Sequence, residues 1–197
     1  MTEHGIALFD TAIGRCGIAW NGRRVIGVQL PEAHERQTRA RLARRCPQAR
    51  DGSPPQEVQC AIDGIVALLR GEARDLSAIA LDMECVPEFD RRVYEVARTI
   101  PPGTTSSYGE VAARLGARDL AREVGQALGR NPFPIVVPCH RVLAAGGKVG
   151  GFSANGGVTT KLRLLTIERA RPGGTPTLFD GDRAFGFAIK PPRRRSA

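Results

Sequence analysis

No stretch of the 197-residue chain holds the roughly 20 consecutive apolar side chains that a bilayer-spanning helix needs. The N-terminus carries an early acid, Glu3, and lacks a basic segment followed by an apolar core, so no secretory signal is expected. No two of the five cysteines (16, 46, 60, 85 and 139) stand in C-x-x-C spacing, which argues against a zinc ribbon and a redox dithiol. Five scattered cysteines fit reduced thiols in a cytoplasmic protein. An odd number also raises the question of which thiol is reactive.

What remains is a globular composition, 42% hydrophobic and 25% charged, long enough for one ordinary domain or two small ones. The net charge of +9 is unevenly spread. Residues 1–82 carry 11 basic and 10 acidic side chains, residues 83–170 carry 12 and 8, and residues 171–197 carry 6 and 2. The excess therefore lies in the C-terminal part, where a polyanion such as DNA is a natural partner through its phosphates. Charge alone fits a merely solubilising surface as well.

Residues 5–30 read as short strands, with Asn21-Gly22 marking a tight hairpin turn. Residues 34–46 read as a basic helix, 47–55 as a loop and 58–70 as an amphipathic helix, and 76–81 can form a last strand. From Pro87 the texture changes. A helix runs to Ile100, where Pro101-Pro102-Gly103 stops it. A second spans 111–115, and a third, capped by Asp119, spans 120–128. Two short helices around a glycine turn are a helix-turn-helix signal.

In the third helix Leu120, Val124 and Leu128 share one side and are expected to pack inward. Ala121 and Gly125 form a neighbouring stripe almost without side chains, with Arg122 beyond it. Such a stripe suits close approach to another body, and it suits helix packing equally. After it, prolines fix an extended, strand-like path from Asn131 to Pro138, which ends on Cys139 and His140. Adjacent residues there would point to opposite sides. Residues 146–153 read as a glycine-rich hairpin, followed by a helix over 161–169 with Glu168 near its C-terminus. That is a poor place for an acid relative to the helix dipole, unless it has a specific partner.

The ordered set Ile100-Pro101-x-Gly103-x-Thr105-x-x-Tyr108-Gly109, Arg122-x-Val124-Gly125, Asn131-Pro132, Pro138-Cys139-His140-Arg141-Val142 and Lys161-x-x-Leu164-Leu165-x-x-Glu168 resembles the methylated-DNA–protein-cysteine methyltransferases. The resemblance covers 87–170 nearly continuously. It implies an α+β protein with a small N-terminal α/β (ribonuclease H-like) domain at 1–82. A winged helix-turn-helix domain at 83–170 and a basic tail at 171–197 follow. It also implies that Cys139 takes the alkyl group from O6-alkylguanine in double-stranded DNA, with O4-alkylthymine a further substrate.

In that reading a water links Cys139 to His140, Glu168 orients His140, and Asn131 braces the turn. Tyr108 assists the flipped nucleotide, and Arg122 fills the gap it leaves. Ala121 and Gly125 approach the minor groove, while Arg141, Val142, Phe152 and Ser153 complete the contacts to DNA and base. The target atom is inaccessible inside a duplex, which is why flipping is needed. No cofactor or metal is implied, the protein is expected to act once as a monomer that can assemble cooperatively on DNA, and no membrane is involved.

Three departures from the family pattern bear on delivery of the base. Glu123 stands where alanine is frequent, Phe152 replaces a tyrosine, and the segment from Phe152 to Lys161 is two residues longer. The rival readings are a non-catalytic damage-binding relative, which replaces the cysteine, commonly with tryptophan, and an alkylation-responsive regulator. Cys139 argues against the first. The second would normally carry a further N-terminal module with clustered metal-binding cysteines.

Overall fold

The computed structural model describes residues 4–170, so the basic tail at 171–197 lies outside the described residues. The N-terminal strands β1 (His4–Thr11), β2 (Gly14–Asn21) and β3 (Arg24–Gln29) form an antiparallel meander. The two-residue β4 (Arg50–Asp51) adds in parallel beside β1, giving the order β3-β2-β1-β4. This fourth strand lies inside the segment expected to be a loop. Residues 76–81, expected to be a strand, instead make a turn that touches the sheet through one bridge, Val25 to Leu81.

Alternation along β2 and β3 gives the sheet two apolar faces. Ile18, Trp20, Val25 and Val28 join Val58, Ile62 and Ile65 of α2 (Gln56–Leu69) in the main core. Ile6 and Ala19 meet Leu42 of α1 (Glu35–Arg45) in a smaller one. Arg36 and Arg44 of α1 are exposed to solvent.

The main core continues through Val93, Tyr94 and Ala97 of α3 (Glu88–Arg98) into the C-terminal part. Helix α4 (Tyr108–Arg114) begins on a capping box. The Glu110 amide donates to the Ser107 hydroxyl at 3.1 Å, and the Ser107 amide donates to the Glu110 carboxylate at 2.6 Å. A 3-10 turn, Arg118–Leu120, then leads into α5 (Ala121–Gly129).

That turn changes two expectations. Asp119 lies inside it and does not cap α5, whose N-cap Leu120 supplies no side-chain bond. Leu120, expected inside, is 36% exposed because it precedes the helix and so falls off its apolar stripe. Val124 and Leu128 are buried as the spacing predicts. The far end of α5 is fixed to α3, with Arg130 gripping Asp90 through two bonds of 2.9 and 2.8 Å and the Tyr94 hydroxyl donating to the Ala127 carbonyl.

Two-residue strands β5 (Ser106–Ser107) and β6 (Val142–Leu143) pair in parallel and tie the start of α4 to the segment after Cys139. Residues 146–153 are an irregular loop and not the expected hairpin; the Ala144 amide closes it on the Lys148 carbonyl at 2.8 Å. The last helix, α6 (Val158–Ile167), starts three residues earlier than its apolar spacing suggested. Its Arg163 reaches the Ala12 carbonyl at 2.7 Å and so joins it to the β1–β2 turn.

Candidate active site

Cys139 does not end an extended strand. Residues Cys139–Arg141 form one turn of 3-10 helix, so Cys139, His140 and Arg141 fan out on a tight spiral and all three are buried. The approach to that turn is itself wound. The Val137 amide donates to the Phe133 carbonyl at 2.8 Å, and Ile135 sits at φ 76°. A β-branched residue in the left-handed region costs on the order of 1–3 kcal/mol and must be held there. Asn131 does the holding. Its side-chain amide donates to the Val137 carbonyl at 2.9 Å and its oxygen accepts from the Phe133 amide at 2.8 Å.

His140 Nε2 lies 2.9 Å from Glu168 Oε1, with both side chains almost wholly out of solvent. Burial pushes the imidazole below its usual range, with the Glu168 charge opposing that shift. At neutral pH the ring is therefore neutral, and Nε2–H donates to the carboxylate. His140 Nδ1 is buried without a hydrogen-bond partner among the described residues. A neutral ring with its Nε2 protonated has a lone pair on Nδ1, which makes that atom the available base.

Arg141 was expected at the substrate or DNA surface, and the structure corrects this. It is only 5% exposed; Nε and Nη2 donate to the two Glu168 oxygens at 2.8 Å each, and Nη1 to the Ile100 carbonyl at 2.6 Å. A planar guanidinium is shaped for such a two-pronged grip on a carboxylate. Glu168 thus has the partner that its place at the end of α6 demanded. Burial alone would raise its carboxyl, but His140 and Arg141 outweigh this and bring it to about 2.

The sign of the pH effect follows. His140 is held below its ordinary 6.5 and Glu168 below its ordinary 4.5, so both contribute fully above those values and lose the contribution as pH falls. Thermal midpoints should decline below about pH 6.5 and more steeply from pH 4.5 towards 2. In Glu168→Gln the lower step should vanish; a step that persists unchanged would show that other carboxylates cause it.

Burial also raises the Cys139 thiol, against the Asn131 side chain, the Lys161 charge and the backbone amides of the turn. The resting group is the thiol. Lys161 is a residue that sequence reading saw only as part of a motif. It is buried on α6, donates to the Val142 carbonyl at 2.6 Å, and lies 5.8 Å from the Tyr108 ring centre. Desolvation brings its ammonium to about 8. A lysine in the first turns of an amphipathic helix looks like a surface residue, so only the fold reveals this one.

Tyr108, at the start of α4, is half-buried among Gly125, Gly150 and Lys161; a Cβ on Gly125 would stand 3.7 Å from its ring. Val142 is fully buried, Phe152 and Ala121 are half-buried, and Arg122 and Ser153 are exposed. Glu123 is half-buried and makes no hydrogen bond or ion pair among the described residues. The geometry thus gathers Cys139, His140, Asn131 and Glu168 with Arg141 and Lys161 in one buried cluster. Ala121, Arg122 and Gly125 sit outside it on α5.

The sequence model of the 6-O-methylguanine DNA methyltransferase DNA-binding domain matches residues 88–170. A methylated-DNA–protein-cysteine methyltransferase of Mycolicibacterium paratuberculosis is 44% identical over 126 residues, covering 64% of this chain and 74% of the relative. The chain belongs to the methylated-DNA–protein-cysteine methyltransferases. Its fold agrees with that of solved methyltransferases. The crystal structure of the Mycobacterium tuberculosis O6-methylguanine methyltransferase superposes with a TM-score of 0.68 at 33% identity, covering 86% of this chain and 93% of the other. A structure of the same organism's enzyme in complex with DNA gives 0.66 at 31% identity, covering 84% and 92%. These similarities extend across the N-terminal sheet as well as the region with Cys139, so the mixed α/β architecture of the methyltransferases holds for most of the chain.

Proposed function

We infer that this chain repairs DNA directly, moving an alkyl group from O6 of guanine onto Cys139 Sγ in a single turnover. The observation that carries the reading is the buried cluster in which a thiol neighbours a neutral imidazole with a free Nδ1, itself anchored through Glu168 to Arg141. The base at Nδ1 takes the thiol proton through a bridging water. The thiolate attacks the alkyl carbon, the carbon–O6 bond breaks with its electron pair on guanine, and guanine takes up the proton that the thiol released. Lys161 and the Asn131 side chain favour the thiolate at the moment of attack, when burial would otherwise hold the thiol.

Delivery of the base rests on α4 and α5, read as the helix pair of a winged helix-turn-helix domain at 83–170, behind a ribonuclease H-like domain at 1–82. In this reading α5 lies in the minor groove, where the small Ala121 and Gly125 let its backbone approach. Exposed Arg122 fills the space left by the flipped nucleotide, and Tyr108 meets the base edge. Val142, Phe152 and Ser153 line the base pocket. Close approach without base readout suits a protein that must find lesions in any sequence. We read the partner as duplex DNA containing O6-alkylguanine, bound by a monomer.

The deciding experiment incubates the protein with duplex DNA bearing O6-methylguanine and measures intact mass and the Cys139 peptide. One methyl per chain on that peptide, never exceeded with excess DNA, is expected. Tight lesion binding with no mass change would favour the non-catalytic reading. Arg122→Ala should slow transfer from the duplex by about tenfold or more, the scale of an unstacking cost of a few kcal/mol. Transfer from free O6-benzylguanine should change far less. Equal losses on both substrates would remove Arg122 from the flipping step.

A further inference from the structure

The cleft that opens beside Cys139 is bounded on one side by Pro134, Phe152 and Ala154. On the other it is bounded by the N-terminal unit, through Gln29, Arg41 and Arg45. Its cavity is small, about 20 Å³, room for a group of about the size of one water molecule. A methyl group fits such a space; a longer substituent must extend towards the arginines. Arg41 is held by Glu32 at 2.7 Å and reaches the Ser153 carbonyl at 3.4 Å, so it closes the outer end of the cleft. Arg45 has no ion-pair or hydrogen-bond partner among the described residues. Two guanidinium groups against one carboxylate leave this end positive. Partial desolvation and then the repulsion from Arg41 lower the Arg45 guanidinium, which shows that the two charges feel each other. The Gln29 side-chain oxygen lacks a donor partner, but one neutral acceptor does not offset an unmatched cation.

We propose that Arg41 and Arg45 form a cationic wall of the alkyl cleft that selects O6-alkyl groups ending in a carboxylate over neutral groups of the same shape. The inference rests on the transferase reading above and specifies its substrate range. For a carboxymethyl adduct, Cys139 Sγ bonds to the methylene carbon while the methylene–O6 bond breaks. Its electron pair goes to guanine, guanine takes up the proton released by the thiol, and S-carboxymethylcysteine is left. No oxidant or further reactant is needed. In the wall the adduct's carboxylate accepts charge-assisted hydrogen bonds that an amide of equal size forms more weakly.

The test compares single-turnover rates on duplexes carrying O6-carboxymethylguanine and O6-carbamoylmethylguanine, which differ in charge and hardly in size. Intrinsic reactivity differs between the two, so the quantity read is their rate ratio in each variant relative to the wild type. Arg45→Gln and Arg41→Gln should each shift the ratio several-fold towards the neutral adduct, and the double variant about tenfold. Arg45→Lys should keep most of the preference. An unmoved ratio in both single variants would overturn the proposal. So would equal slowing of both adducts, which would mean that the arginines hold DNA phosphate. O6-methylguanine serves as the reference lesion. If the wild type leaves it untouched, the transferase reading itself fails; methyl transfer with an unmoved ratio overturns this inference alone.

Discussion

Cys139→Ser should transfer no methyl group to protein, a rate loss of at least about a thousandfold, while still binding duplex DNA that carries O6-methylguanine. The substitution keeps the size and the 3-10 turn and changes only the nucleophile. A thiol with an ordinary pKa near 8.5 already supplies a few per cent of thiolate at neutral pH, and its anion is intrinsically very nucleophilic. An alcohol yields almost no anion there. Neither Lys161 nor the Asn131 side chain can close that gap, since together they do no more than oppose the burial that raises the Cys139 thiol. The measurement is intact mass after long incubation, with a gel-shift titration for binding. A methyl adduct on the serine variant, whether on residue 139 or on exposed Cys60 or Cys85, would sink the assignment of Cys139 as acceptor. Loss of binding together with transfer would point to a disrupted turn, which is why Cys139→Ala belongs beside it.

The parts of this molecule that the sequence revealed are those whose signals are local and periodic. The meander, α1 and α2 follow from turn residues and apolar spacing, and Glu168 stood out because an acid at a helix C-terminus conflicts with the dipole. What stayed hidden depends on contacts far apart in the chain. β4 pairs with β1 across some forty residues, and two residues of strand carry no periodicity to read. Leu120 looked buried because a helical wheel assumes that the helix has already begun, whereas the 3-10 turn delays it by a residue. The prolines before Cys139 excluded an α-helix correctly. They did not exclude a turn, because Asn131 supplies backbone bonds that no spacing rule predicts. The burial of Lys161 and Arg141 was not legible for one reason: charged side chains are mostly exposed, and only the fold shows which of them have buried partners.

Arg141 makes the second large prediction, and it separates structure from recognition. Arg141→Ala should destabilise the protein by about 3–5 kcal/mol, the usual cost of removing one member of a buried ion pair, or a fall of roughly 10 °C or more in thermal midpoint. The cost is steep because the change strands a charge. Glu168 would keep one neutral partner, the Nε2–H of His140, in a site where its side chain is 3% exposed, and the Ile100 carbonyl would lose its donor too. Its carboxyl should then rise from about 2 towards the range that burial favours. A proton on Glu168 relieves the stranded charge but weakens the anchor of His140, so transfer should slow as well as stability fall. Adding Glu168→Gln to Arg141→Ala should recover part of the lost stability, because a neutral amide needs no counter-charge; it should not recover transfer. Thermal melts, single-turnover rates and DNA titrations on the three variants distinguish the alternatives. If Arg141→Ala leaves the thermal midpoint unchanged and weakens only DNA binding, Arg141 belongs at the DNA surface after all. If the double variant is no more stable than Arg141→Ala, the loss comes from the vacated space and the Ile100 carbonyl, and the charge balance around Glu168 is not what holds the turn behind Cys139.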